Sequence, residues 1–249
     1  MSVADAPLLE TVGLSRSFEG LQAVRDVDVR IQPGEIRALI GPNGAGKTTL
    51  VGMISGRLRP TSGRVVFKGR DITRLRSWER VALGIVYTFQ VTSIFRNVTV
   101  FDNVALAVQR GLTRRPLARL LLPRRRLAPR VEAALAEVGL AGASAARAGS
   151  LAYGHQRLLE VAMALALGPE LLTLDEPTQG LSPGEVTAFI RLVRQIATRA
   201  TVLLIEHNMA VVLELADRVT VMDKGAVIAE GTPAAIERHP DVRRSYLGL

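Results

Sequence analysis

The chain has 249 residues, 48% of them hydrophobic, which is enough for one large α/β domain with a sizeable core; the absence of cysteine excludes disulfides and thiolate metal sites. The formal net charge of +9 is local: Arg110, Arg114, Arg115, Arg119, Arg124, Arg125, Arg126 and Arg130 account for +8 of it with no acid among them, which excludes a protein-wide polyanion-binding surface. No apolar run approaches the ~18 residues of a membrane span and no basic n-region precedes Leu9, so the expected compartment is the cytosol.

Residues 8–31 alternate apolar and polar positions, with turn residues at Glu19-Gly20 and Pro33-Gly34, and read as an antiparallel hairpin. Phe18 in this hairpin suits either a purine-stacking role or a place in the hairpin core. Glu35 to Ile40 is a short buried strand, and Lys47 to Val51 opens a helix that Gly56 ends. A strand over 63–68 and a helix through Trp78 and Val81 follow. A strand from Ile85 to Phe89 then delivers Gln90 at its carboxyl end, where open α/β sheets gather their ligands. Thr99 caps a helix from Val100 to Arg110. The arginine segment, broken by Pro116, Pro123 and Pro129, reads as a surface excursion in helical pieces, before a helix from Arg130 to Val138 that stops at Gly139.

Leu151-Ala-Tyr-Gly-His-Gln156 precedes an apolar helix over 158–167, and Leu171 to Leu174 is a buried strand ending in Asp175-Glu176. A loop from Pro177 to Pro183, a helix from Gly184 to Thr198 and a strand from Thr201 to Ile205 lead to Glu206 and His207. The tail holds two short strands around Asp223-Lys-Gly225 and a last helix starting at Thr232-Pro233.

The stretch around which this order is built is Gly41-Pro42-Asn43-Gly44-Ala45-Gly46-Lys47-Thr48, followed by Thr49, which meets every demand of the phosphate loop G-x-x-x-x-G-K-[ST]. A strand before it and a helix after it supply the required context. Inward N–H groups and the helix dipole favour an anion, Lys47 adds a mobile charge for the terminal phosphates, and Thr48 offers a hydroxyl to Mg²⁺. Asp175 is suited to hold the same cation, and Glu176 to polarise an attacking water as general base. His207, at another strand tip, can reach the γ-phosphate or that water, whereas His155 and His239 have no such placement.

These residues resemble the ATP-binding cassette (ABC) family of transporter ATPases. The resemblance covers residues from about 8 to the end and rests on GPNGAGKT, Gln90, LAYGHQ at 151–156, LLTLDEP at 171–177, the loop at Gly180 to Ser182, and His207. It implies an α/β P-loop NTPase fold with a RecA-like core, an N-terminal antiparallel β subdomain and an inserted helical subdomain at roughly 92–165, all within one ATPase domain over 1–249. It also implies ATP and Mg²⁺ as ligands, with Gln90 sensing the γ-phosphate and touching the cation. By the same resemblance Phe18 would stack on adenine, and Ala152, Tyr153 and Gly154 of one subunit would close over ATP held by another. Three positions depart from the family pattern, which has Ser at Ala152, Asp at Ser182 and an unbroken aliphatic strand where Thr173 stands.

The tail, TVLLIEHNM at 201–209, AEGTP at 229–233 and the terminal PDVRRSYLG at 240–248, is similar to the ATPases of importers for branched-chain amino acids, amides or urea. That subgroup implies transmembrane permeases, a second ABC ATPase subunit, a substrate-binding protein reached through the permeases, and a place on the inner face of the cell membrane. The ATPase of a lipopolysaccharide exporter, with a similar stretch at Ile94 to Arg96, is the alternative. A DNA-associated ATPase of the superfamily is disfavoured, because only about a hundred residues separate Thr48 from Leu151 where such proteins insert long coiled coils; no nucleic acid is expected. The segment Arg110 to Arg130 is either a solvated insertion or a contact for anionic lipid.

Overall fold

The computed structural model describes residues 6–88, 93–112 and 122–246. Gln90, Arg114, Arg115 and Arg119 lie outside them.

The first strands, β1 (Leu9–Phe18) and β2 (Leu21–Ile31), form the expected hairpin. Its two-residue turn, Glu19 at φ 45° and Gly20 at φ 93°, has both residues left-handed, the twist that matches flanking strands. Lys68-Gly69 makes the same kind of turn, at φ 51° and 74°, between β4 (Ser62–Phe67) and β5 (Arg70–Asp71). These strands form a four-stranded sheet in the order β2-β1-β4-β5. Its alternating inward residues, among them Leu9, Leu14, Val27, Val29, Val65 and Phe67, pack against Leu50, Val51, Met53 and Ile54 of α1 (Lys47–Ile54) in one core cluster.

A second, six-stranded sheet runs β10-β9-β3-β8-β7-β6. Its members are β3 (Ile36–Ile40), β6 (Ile85–Tyr87), β7 (Leu171–Asp175), β8 (Thr201–Ile205), β9 (Arg218–Asp223) and β10 (Ala226–Gly231). All pairings are parallel except that of β9 with β10. Every residue of β3, β7 and β8 is buried, as expected for central parallel strands covered on both faces. Because Asp175 pairs with Ile205 and Leu39 also pairs with Ile205, the carboxyl ends of β3, β7 and β8 lie side by side. The phosphate loop, Asp175-Glu176 and Glu206-His207 all leave from that edge.

Three helices, α3 (Val100–Leu112), α4 (Arg124–Glu137) and α5 (Tyr153–Leu165), share the third layer with Phe189, Ile190 and Val193 of α6 (Pro183–Ala197). Thr99 caps α3 as expected, its hydroxyl accepting the Asp102 N–H at 3.0 Å. The helix expected from Arg130 begins earlier, at Arg124, and continues across Pro129. Leu127, Val131, Ala134 and Leu135 form a buried stripe at helical spacing, and burying that stripe outweighs the single hydrogen bond that proline removes. The helix after LAYGHQ likewise starts at Tyr153 rather than 158, and the strand before Gln90 ends at Tyr87 rather than Phe89. Of the shorter helices, α2 (Ser77–Ala82) precedes β6 and α7 (Met209–Leu215) follows β8. The tail ends in two helices rather than one, α8 (Pro233–Glu237) and α9 (Pro240–Tyr246). Among the described residues no helix is long and apolar enough to cross a membrane.

Candidate functional site

A cleft of about 430 Å³ at the carboxyl edge of the six-stranded sheet is lined by Phe18, Ala23, Asn43, Gly44, Ala45, Gly46, Lys47, Thr48, Thr49 and Glu176. Sequence reasoning singled out all of these but Ala23. Phe18 is 38% exposed, so its place is the cleft wall and not the hairpin core; the Arg16 guanidinium lies 4.5 Å from its ring centroid.

Two glycines are obligatory on steric grounds. A Cβ on Gly41 would stand 2.1 Å from the Met222 carbonyl oxygen, and one on Gly46, at φ 98°, would stand 2.4 Å from that of Ala23. The loop is thus pressed against β9 and β2, and Gly46 is the residue from which α1 starts. Pro42 closes a local turn by accepting the Ala45 N–H at 3.2 Å, and the Ala45 carbonyl is fixed by the Gly225 N–H at 3.0 Å. Lys47 is buried and folds back over the loop, donating to the Gly41 and Pro42 carbonyls at 2.6 and 3.0 Å. Burial lowers its pKa, against the opposing attraction of Glu176 and Asp175. A buried cation hydrogen-bonded to loop carbonyl oxygens, above an anion-favouring helix start, is a fitting receptor for phosphate oxygens.

The acids next to it have contrasting settings. Asp175 is 3% exposed, and desolvation raises its pKa even though it accepts a hydrogen bond from the Tyr87 hydroxyl. The phenol in turn is pushed up by burial and by that carboxylate. Glu176 lines the cleft with a left-handed backbone, φ 46°, rare for a residue with a side chain and worth about 1–3 kcal/mol of strain. Its N–H is anchored on the Ile205 carbonyl at 2.9 Å, and its Oε1 lies 3.9 Å from His207 Nδ1. The Asp175 and Glu176 carboxylates and the Thr48 hydroxyl are oxygen donors of the kind that suits a hard divalent cation, and Lys47 is close enough to Asp175 to act on it electrostatically. The structure therefore brings Phe18, Asn43 to Thr49 and Glu176 into one cleft, with His207 3.9 Å from Glu176 and Asp175 the residue before it.

It does not bring Ala152, Tyr153 and Gly154 to that cleft. Gly154 lies instead in a separate concavity of about 340 Å³ with Leu158, Leu181, Glu185 and Phe189. A Cβ on Gly154 would stand 2.2 Å from Glu185 Oε1, so the glycine there serves packing against α6. Ala152 is the N-cap of α5, and no side chain caps that turn. Ser182 has a definite task in this chain: its hydroxyl donates to Glu185 Oε2 at 2.7 Å in the capping box of α6, and its N–H donates at 2.8 Å.

Sequence reasoning missed three supporting residues. Glu206, 1% exposed, accepts the Thr178 hydroxyl at 2.5 Å and the Thr178 N–H at 3.1 Å, tying the tip of β8 to the loop after Glu176. Arg80, also 1% exposed, donates to the Met53 and Ile54 carbonyls at 2.6 and 2.7 Å and so caps the end of α1. Tyr87 holds Asp175. A glutamate between a strand and a histidine, or an arginine in an amphipathic helix, carries no local mark of burial; only the partners reveal it.

Fold and site together define a nucleotide-driven ATPase of the cassette type. The chain belongs to the ABC transporter family, whose model matches residues 24–179, and it is an ATP-binding, ATP-hydrolysing subunit. A second model, described as branched-chain amino acid ATP-binding cassette transporter, matches residues 226–248. The chain is similar to LivG, the high-affinity branched-chain amino acid transport ATP-binding protein of Escherichia coli (strain K12), with 38% identity across 97% of this chain and 98% of that one. It is also similar to LptB, the lipopolysaccharide export system ATP-binding protein of Acidithiobacillus ferridurans, with 38% identity across 97% of each chain. The ADP conformation of MJ1267, an ATP-binding cassette of an ABC transporter, superposes with a TM-score of 0.85 at 29% identity, covering 98% of this chain and 99% of that one. The α/β cassette fold expected from the sequence is therefore the fold found.

Proposed function

We propose that this subunit drives an importer for branched-chain amino acids or related small polar nutrients such as amides and urea. The observation that carries this is the C-terminal match over residues 226–248, because the cassette core is common to importers and exporters while this tail is described for the branched-chain group. In this reading two permeases cross the membrane, and this chain and a second ABC ATPase subunit sit on the inner face of the cell membrane beneath them. A substrate-binding protein acts through the permeases.

Lys47 and the loop N–H groups grip the β and γ phosphates of ATP, and Phe18 stacks on adenine. Thr48, Asp175 and Gln90 are the residues that would hold Mg²⁺, which when bound draws charge from the phosphate oxygens. Glu176 accepts the proton of the attacking water, and its anchored backbone fixes where that oxygen sits. His207 contacts the γ-phosphate side of the same water. Ala152, Tyr153 and Gly154 act in trans, offering the start of α5 to the partner's nucleotide, which is why they need not face their own cleft. Of the arginine segment, Arg124, Arg125, Arg126 and Arg130 lie on α4, and their contact with anionic lipid is the alternative to a solvated role.

The test is transport-coupled ATPase activity of the assembled complex in membranes. Binding protein loaded with a branched-chain amino acid is expected to stimulate turnover, and Lys47→Ala is expected to reduce it to background. Stimulation by lipopolysaccharide and not by any loaded receptor would replace this reading with the exporter one.

A further inference from the structure

Asp175 receives its hydrogen bond from a residue outside every motif described above. Tyr87 is the last residue of β6 and pairs in register with Thr173 of β7, two positions before Asp175 and therefore on the same face of that strand. The Thr88 N–H continues the ladder onto the Thr173 carbonyl at 2.9 Å, so the tyrosine backbone is fixed beside the acid. From there the phenol hydroxyl donates to Asp175 Oδ2. The ring is clasped from its face by the Arg57 guanidinium, 3.9 Å from the centroid. Arg57 is placed by the turn that ends α1: its N–H donates to the Gly52 carbonyl at 2.9 Å and its Nε to the Ser55 hydroxyl at 3.2 Å.

We propose that Tyr87 is a positioning residue: it fixes the Asp175 carboxylate in the orientation that presents its second oxygen to the divalent cation accompanying ATP. This rests on Asp175 being a cation ligand, as read above. A carboxylate offers two oxygens and about four lone-pair sites. With one oxygen held by the phenol, rotation about the terminal torsion is stopped and the other oxygen has a single place to be. Without that donor, Lys47 and Arg57, both close enough to act on Asp175 electrostatically, compete for the freed oxygen. The contacts also join the exit turn of α1, the strand leading to Gln90 and the strand bearing Asp175, so the elements that meet the nucleotide are held in one register. Removing such an outer partner typically weakens metal affinity about 10–100-fold.

The experiment measures binding of adenylyl imidodiphosphate to the purified chain, once with Mn²⁺ and once with EDTA; the ratio of the two dissociation constants is the tightening due to the metal. Tyr87→Phe keeps the ring and removes only the hydroxyl. It is expected to lose about 10–100-fold of that tightening while the EDTA affinity stays as in the wild type and the thermal midpoint falls only slightly, by the cost of one stranded acceptor. An unchanged ratio overturns the proposal. So does an equal loss with and without Mn²⁺, which would make Tyr87 a structural support only. Asp175→Asn separates the levels: if it abolishes the metal effect while Tyr87→Phe preserves it, the tyrosine role alone fails. If Asp175→Asn itself leaves the metal effect intact, the assignment of Asp175 as a cation ligand fails and the tyrosine role with it.

Discussion

Asp175 shows at the scale of one residue how this protein trades stability for chemistry. Its carboxylate is buried, and its folded-state pKa is raised chiefly by desolvation. A raised folded pKa means the native state binds the proton more tightly than the unfolded chain, so this group supports folding below its ordinary carboxylate range and loses that support as pH rises through the folded value. Above that folded value the ionised acid is thus a burden on the metal-free protein. Asp175→Asn is expected to raise the thermal midpoint of the nucleotide-free chain at pH 7, with the gain shrinking on acidification as the wild-type acid takes up its proton. A gain that grows on acidification would contradict this assignment of cause. The residue was legible in the sequence as an acid ending an apolar strand. Its burial and its tyrosine donor were not, because Tyr87 reaches it across the sheet from 88 positions away.

At the scale of the element, α1 is short, eight residues, with no side-chain cap at its start and no basic residue in its last turn. Its stability must come from tertiary partners. Arg80 supplies them, donating to the Met53 and Ile54 carbonyls at one end of its fork and to the Thr73 and Leu75 carbonyls at 2.9 and 3.1 Å. A Cβ on Gly56 would stand 2.8 Å from Arg80 Nε, so the glycine that ends the helix also admits the guanidinium. Each buried acceptor stranded by its removal costs about 1–3 kcal/mol. In a protein of this size each kcal/mol lowers the midpoint by about 2–4 °C. Arg80→Met should therefore lower the midpoint by several degrees in a thermal melt; a melt identical to wild type would refute the capping role. Elements governed by local signals were well placed from sequence, notably β7, β8, the β1–β2 hairpin and the end of α1 at Gly56. Those governed by tertiary packing were not. The start of α4 ahead of Pro129, and of α5 at Tyr153, depend on stripes that pay off only once α3 and α6 are in place.

For the whole molecule, the two halves of the expected ATP site face different concavities. Lys47, Thr48 and Glu176 share one, and Gly154 lies in the other with Glu185 and Phe189. One copy therefore presents a phosphate-binding cleft and, elsewhere, the start of a 13-residue helix that no side chain caps. The order of the motifs gave away the family, but not this separation, since sequence order says nothing of which concavity a segment enters. The proposed reading, in which ATP joins two such subunits and Glu176 ends the union by hydrolysis, accommodates that division. The most direct measurement is the association state of Glu176→Gln, with its partner subunit, on a sizing column in the presence of Mg²⁺ and ATP. The account predicts a stable ATP-loaded pair that separates when nucleotide is removed; elution unchanged by ATP would contradict it.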